Sequence, residues 1–160
     1  MVALECNGSE ANVKLNLGSG NVRLDGFYNI DKSPVCQPDL VWDIEEMPWP
    51  IESDSVEHIL AAHSLEHIHQ DKFPDVVREM YRVSQDGAEW YIYVPHGLTN
   101  MFIKDPTHRM PFALETFNYF SYGAPEREIG MLYGWGDIHL EVKLAKISGE
   151  AIDFIITVRK

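Results

Sequence analysis

The run Val13-Lys14-Leu15-Asn16-Leu17-Gly18-Ser19-Gly20 passes from a short alternating strand directly into a pair of glycines. Glycine accepts φ > 0 and lets a ligand come close to the backbone, so the junction reads as strand, tight turn and binding loop in one. A lone G-x-G turn is common, and its weight here comes from the next two strands. Phe27-Tyr28-Asn29-Ile30-Asp31 is aromatic-rich and ends on a carboxylate, and Asp39-Leu40-Val41-Trp42-Asp43 ends the same way. In a parallel sheet all strand C-termini share one edge, and ligands bind in the crevice outside them. A carboxylate after the second strand can accept from both hydroxyls of a ribose, and one after the third can meet an adenine amino group. Read by position alone, both aspartates serve equally well as solvated turn residues.

Outward from this region the elements continue in order. Glu45 to Pro50 holds two prolines and reads as a loop. Val56 to Ala62 is a fourth strand, apolar enough to be buried on both faces. Asp71 to Val83 reads as a helix with Asp71 at its N-cap, Pro74 in the first turn and Asp86-Gly87 as its stop. Phe73, Val76, Val77, Met80 and Val83 form its apolar stripe. Trp90 to Val94 is a fifth strand, closed by Pro95-His96-Gly97. A polar loop then leads to a short helical pattern over Leu114 to Phe120, and the glycine-dense stretch Tyr122 to Asp137 reads as irregular. Two period-two runs, Leu140 to Leu144 and Ile152 to Val158, flank Ser148-Gly149-Glu150 and predict a hairpin. The expected class is an α/β domain: one mostly parallel sheet with helices on its faces and a C-terminal antiparallel hairpin.

Bulk properties bound the function. A chain of 160 residues suits one domain spanning 1–160, and 45% hydrophobic against 24% charged residues fits a globular protein. Thirteen Lys and Arg against twenty-five Asp and Glu leave a net charge of −12, which disfavours an extended nucleic-acid face. Cys6 and Cys36 do not form a CxxC pair, and Met1 to Asn7 has no basic start followed by an apolar run. No stretch approaches ~20 apolar residues, so no spanning helix is expected, and the default compartment is cytoplasmic.

The ordered motifs resemble those of the class I S-adenosylmethionine (SAM)-dependent methyltransferases. Lys14-Leu15-Asn16-Leu17-Gly18-Ser19-Gly20 and Gly26-Phe27-Tyr28-Asn29-Ile30-Asp31 are similar to the "L-N-L-G-C-G" and "G-W-x-N-V-D" of one subgroup. Trp42-Asp43-Ile44 with Met47-Pro48-Trp49-Pro50 resembles its "D-L-…-L-P-F-P", and Ser64-Leu65-Glu66-His67-Ile68 its "x-L-E-H-I". Arg78 to Val83, Asp105-Pro106-Thr107-His108-Arg109 and Glu115-Thr116-Phe117 resemble its later segments, so the likeness runs over about residues 13 to 120. It implies a Rossmann-like fold of reduced size and S-adenosyl-L-methionine as cofactor. Leu17, Gly18, Ser19 and Gly20 would wrap the methionine end, and Asp31 with Lys32 would hold the ribose. Asp43 and Ile44 would flank the adenine, and Ala62 and His63 would line the sulfonium side. The implied activity is methyl transfer to a small-molecule or polymer acceptor; His96 and His108, in loops expected at the same sheet edge, are candidate bases or substrate ligands and serve equally well as hydrogen-bonded loop residues. The alternative is a SAM- or nucleoside-binding module without catalysis, an oligomer or a subunit that needs a partner to complete its site.

Two features depart from the family pattern. Val22 stands where a third glycine would complete G-x-G-x-G, and Gly18 to Gly26 is about nine residues, shorter than a full helical crossover. The first helix is therefore expected to be one turn or absent. The same short path argues against a nicotinamide dehydrogenase, whose glycine loop opens a complete helix. His63-Ser64-Leu65-Glu66-His67 also satisfies H-x-x-E-H, the pattern of inverted zinc peptidases. That zinc-hydrolase reading needs one continuous helix, whereas His63 follows directly on a strand; the favoured reading assigns no metal. His58 and His69 receive no role, and Trp42, Trp49, Tyr91 and Tyr93 are expected to pack.

Overall fold

Val13–Leu17 forms β1, and four more parallel strands extend the sheet on both sides of it. The computed structural model describes residues 13–160, so Cys6 and the Met1 to Asn7 stretch lie outside the described residues. β2 (Tyr28–Asp31), β3 (Leu40–Val41), β4 (Val56–Ala62) and β5 (Ser84–Pro95) complete the parallel part. β6 (Leu140–Ser148) and β7 (Ala151–Val158) form the hairpin, and β7 runs antiparallel to β5. The seven strands are ordered β3-β2-β1-β4-β5-β7-β6. The order reverses between β1 and β4, which opens a crevice at their C-terminal ends, where open α/β sheets bind ligands.

The two faces of the sheet differ. Leu15, Ile59, Trp90 and Ile156 lie side by side in register and are each fully buried. α1 (Phe73–Val83) and the segment Phe112 to Phe120 belong to the same core. Phe73 packs edge-on against Phe112 and Phe117, whose ring meets Phe154 of β7 at 5.0 Å. The opposite row, Asn16, Leu60, Tyr91 and Ile155, is less covered, and Tyr91 is 39% exposed. The connection from β1 to β2, which runs over the Asn16 end of this row, contains turns and no helix.

Two side-chain amides take the place of a helix there. Asn16 donates to the carbonyl of Val22 and to Asn29 Oδ1, both at 2.9 Å. Asn29 Oδ1 also accepts from Leu24 N–H at 3.0 Å, while its Nδ2 donates to Phe27 O and Asp39 Oδ2. Both residues are buried. The loop's polar backbone is thus satisfied from the strands beneath it rather than by its own ladder.

Several expectations change. α1 starts at Phe73 with Lys72 at the N-cap, not at Asp71, and no side chain caps it. It ends at Val83 rather than at Asp86-Gly87, because Ser84 turns extended and its hydroxyl donates to Met80 O at 2.7 Å. Ser84 also accepts from Trp90 Nε1, so the helix end is closed inside the core. β5 accordingly begins at Ser84, and Asp86-Gly87 lies within an irregular stretch of the strand, with φ +80 at Gly87. The third strand is only Leu40–Val41, and Leu114 to Phe120 contributes a 3-10 turn at Thr116–Phe120.

A short helix, α2 (Asn100–Ile103), lies in the polar loop after β5. Tyr122 to Asp137, expected to be irregular, holds α3 (Arg127–Leu132). The buried Arg127 guanidinium organises it by donating to the carbonyls of Phe120, Gly136 and Ile138. Gly130 fits flat on Tyr119 O, where any Cβ would collide. Among the described residues no helix is long and apolar enough to cross a membrane.

Candidate functional site

The loops leaving β1, β2, β3 and β4 meet around a cavity of about 450 Å³ at the switch point. That is within the usual range for small-molecule sites. Gly18 and Gly20 form its floor in left-handed conformation, φ +63 and φ +51. A Cβ on Gly18 would run into the Cβ of Ser64, so this glycine is needed for space as well as for its backbone angle. Asp31 stands at the tip of β2. Its Oδ2 accepts from Gly20 N–H and its Oδ1 from Ser33 N–H, each at 2.8 Å. These two bonds fix the carboxylate while each oxygen keeps a lone pair for an outside donor.

Lys32, Asp43 and Ile44 continue this wall. Asp43 Oδ1 accepts from Glu45 N–H at 3.0 Å, which holds the turn after β3. That turn is anchored to α1: Glu79 Oε2 accepts from Trp49 N–H at 2.8 Å, and Arg82 donates to Trp49 O and Ile51 O. Burial works to raise the Glu79 carboxyl, but hydrogen bonds from Arg82 and Trp49 outweigh it and hold it below its ordinary range. Trp49 packs in the core as expected, whereas Trp42 stands on the cavity wall as well.

The other wall comes from the end of β4 and from a distant loop. His63 has φ +53, an unusual conformation for a residue with a side chain. Its ring lines the cavity, sits edge-on to Tyr93 at 4.9 Å, and places Nδ1 3.3 Å from Glu66 Oε1. A single 3-10 turn, Leu65–His67, comes next, so the H-x-x-E-H stretch is not one continuous helix. Arg109 and Met110 N–H both donate to Glu66 O, which docks the Asp105–Arg109 loop on that turn. Thr107 and Arg109 therefore reach the cavity.

A bridge crosses the mouth. Glu45 accepts from His69 N–H and from its Nδ1, both at 2.9 Å, and the other ring nitrogen accepts from Arg109. Burial pushes the Glu45 carboxyl up, but the His69 donors win and hold it below the ordinary range.

Of the residues singled out from sequence, Gly18, Gly20, Asp31, Lys32, Asp43, Ile44 and His63 line one cavity. Leu17 and Ser19 lie buried beneath it, and the Ser19 hydroxyl has no hydrogen-bond partner. Ala62 ends β4 and is exposed, outside the lining. Neither His96 nor His108 lines it. His96 bridges to Phe112 and accepts from Leu98 N–H at 3.2 Å, away from the wall. His108 is 8% exposed and packs behind His67, ring centroids 4.8 Å apart. Trp42, Glu45, Ser64, His67, Ile68, Thr107 and Arg109 line the cavity without having been given a role there. The only signal for most of them was their place in short motif segments.

The donor set fits SAM: a glycine floor that a side chain would fill, an oriented carboxylate after β2, and a second acidic residue beside an apolar one after β3. No protein-family model and no curated protein sequence matches the chain. Solved structures do. A SAM-dependent methyltransferase from Archaeoglobus fulgidus superposes with TM-score 0.60 at 16% identity, covering 91% of this chain and 86% of that one. A chain in the complex between the Haloferax volcanii Trm112 methyltransferase activator and a putative methyltransferase gives 0.61 at 13%, covering 96% and 85%. A putative type 11 methyltransferase from Sulfolobus solfataricus gives 0.56 at 20%, covering 94% and 85%. At these identities the likeness is one of architecture, and it agrees with the strand order: the chain has the Rossmann-like class I methyltransferase fold.

Proposed function

We propose that this chain binds SAM in the switch-point cavity and transfers its methyl group to an acceptor, a small molecule or a polymer. The observation that carries the reading is the convergence of Gly18, Gly20, Asp31 and Asp43 on one cavity at the reversal of strand order. Gly18 and Gly20 would leave room for the methionine part, Asp31 would accept from the ribose hydroxyls, and Asp43 with Ile44 would receive the adenine. The bound sulfonium is itself an activated methyl donor, so alignment of the acceptor is the main task left to the protein. His63 and His67 are the imidazoles on the cavity wall, and a proton released by an oxygen or nitrogen acceptor would pass to His63.

Isothermal calorimetry with SAM and S-adenosylhomocysteine tests this directly. Both should bind, and Asp31→Ala should weaken each by about 1–3 kcal/mol, because a charged hydrogen-bond acceptor is lost. Absence of binding by the unmodified chain would sink the proposal. A second reading, a binding subunit completed by a partner, is favoured by the Haloferax structure, which pairs a methyltransferase with an activator. It also agrees with the exposed apolar residues Ile129, Met131, Leu132 and Tyr133 of α3 and its end. Cofactor binding without turnover over a panel of acceptors would select it.

A further inference from the structure

The H-x-x-E-H stretch contains a side chain whose surroundings the cofactor does not explain. Glu66 is fully buried, and its Oε2 has no hydrogen-bond partner. A buried carboxylate without donors is strongly unfavourable unless a positive charge compensates it. Oε1 meets His63 Nδ1 at 3.3 Å, while the imidazole on its other side offers a lone pair. His108 Nδ1 lies 2.9 Å from Phe102 O; a carbonyl only accepts, so this nitrogen carries the proton. In the neutral ring Nε2 is then bare, and it lies 3.9 Å from Glu66 Oε1 and 3.7 Å from Asp105 Oδ2.

His67 is fixed in the same way. Its Nδ1 lies 3.0 Å from Thr107 Oγ1, whose single proton is donated to Asp105 Oδ1 at 2.7 Å. The imidazole must therefore donate to Thr107, leaving its Nε2 bare. One donor atom from each of Glu66, His67 and His108 lies within 4.8 Å of the other two. Acceptors gathered around a buried carboxylate, each histidine oriented by an outer partner on its Nδ1, are the arrangement of a metal-ligand set.

We propose that Glu66, His67 and His108 bind a divalent first-row transition ion. Two imidazoles and one carboxylate favour zinc, cobalt, nickel, iron or manganese over magnesium or calcium. Three protein ligands leave coordination positions open. Because His67 and Thr107 line the cavity, those positions adjoin it. On the methyltransferase reading, on which this clause alone rests, they would hold an oxygen of the acceptor. His63, although part of the sequence motif, is not one of the three ligands.

The test is titration of the chelator-stripped full chain with Co²⁺, followed by visible absorption, with Zn²⁺ as competitor. Near-stoichiometric binding displaced by zinc is expected. X-ray absorption of the cobalt form should show two imidazole ligands, which decides the matter even if buried variants fail to fold. His67→Ala should abolish tight binding, and Thr107→Val, which removes only the outer partner of His67, should weaken it roughly 10–100-fold. His139→Ala, at an exposed position outside the cluster, should leave the affinity unchanged. No cobalt binding, a spectrum without imidazole, or equal loss in His139→Ala would overturn the site. Calorimetry with S-adenosylhomocysteine on the same samples separates the two proposals, since either ligand can bind without the other.

Discussion

The two walls of the cavity are built on different plans. The wall from β1 to β3 is local: each strand leads into its own cavity-lining residue, and short bonds such as Gly20 N–H to Asp31 Oδ2 hold it. The wall beyond β4 is assembled across the chain. His69 meets Glu45 from 24 residues away, and Thr107 meets His67 from 40. The first wall is shaped by backbone geometry, the second by side chains that must find one another. Substitutions on the first wall should therefore change the shape of the cavity, and those on the second its chemistry.

The most damaging single change should be Gly18→Val. The new side chain meets Ser64 and must adopt a left-handed backbone, which alone costs about 1–2 kcal/mol. Thermal unfolding should show a loss larger than that, and S-adenosylhomocysteine binding should vanish; retained binding would mean the floor is not where the cofactor sits.

Next is Glu79→Gln, at the seam where the β3 loop is pinned to the helix that comes after β4. Its carboxyl is held below the ordinary value in the folded protein, so its contribution is complete above the unfolded pKa of ~4.3. It is lost as pH falls through the folded value. Glu79→Gln should cost about 1.5–3 kcal/mol at neutral pH and flatten the acid limb of the stability profile. An unchanged acid limb in urea titrations would show that the seam does not depend on this charge.

The smallest effect should come from His63→Gly. The change removes an edge-on contact to Tyr93 and the Nδ1 contact with Glu66 Oε1 but relieves a left-handed backbone worth about 1–2 kcal/mol, so net stability should move by less than about 1 kcal/mol. A large loss in thermal melts would mean that the second wall, like the first, is set by backbone geometry.

This difference also explains what could be read in the sequence. Strand, glycine and terminal carboxylate are neighbours along the chain, so Gly18, Gly20, Asp31 and Asp43 were visible as a pattern, as was the hairpin with its period of two. The ligand cluster at Glu66 was not: the motif pairs Glu66 with His63 and His67, and only the fold brings His108 in place of His63. α3 was hidden because glycine density reads as loop, while its order comes from Arg127 bonding three carbonyls of other segments. The helix stop was misplaced because Ser84, a residue with no local turn signal, satisfies Met80 O from within the core.

The amide pair under the glycine loop has a thermodynamic consequence. A helix in this connection would carry its own hydrogen bonds and could open and close as a separate unit. Here the carbonyl of Val22 and the N–H of Leu24 bond to Asn16 and Asn29, which belong to β1 and β2. These bonds break only when the loop separates from the two strands, or the strands from each other. The floor of the cavity therefore inherits the cooperativity of the sheet centre and opens with it as one folding unit, rather than fraying as loops usually do.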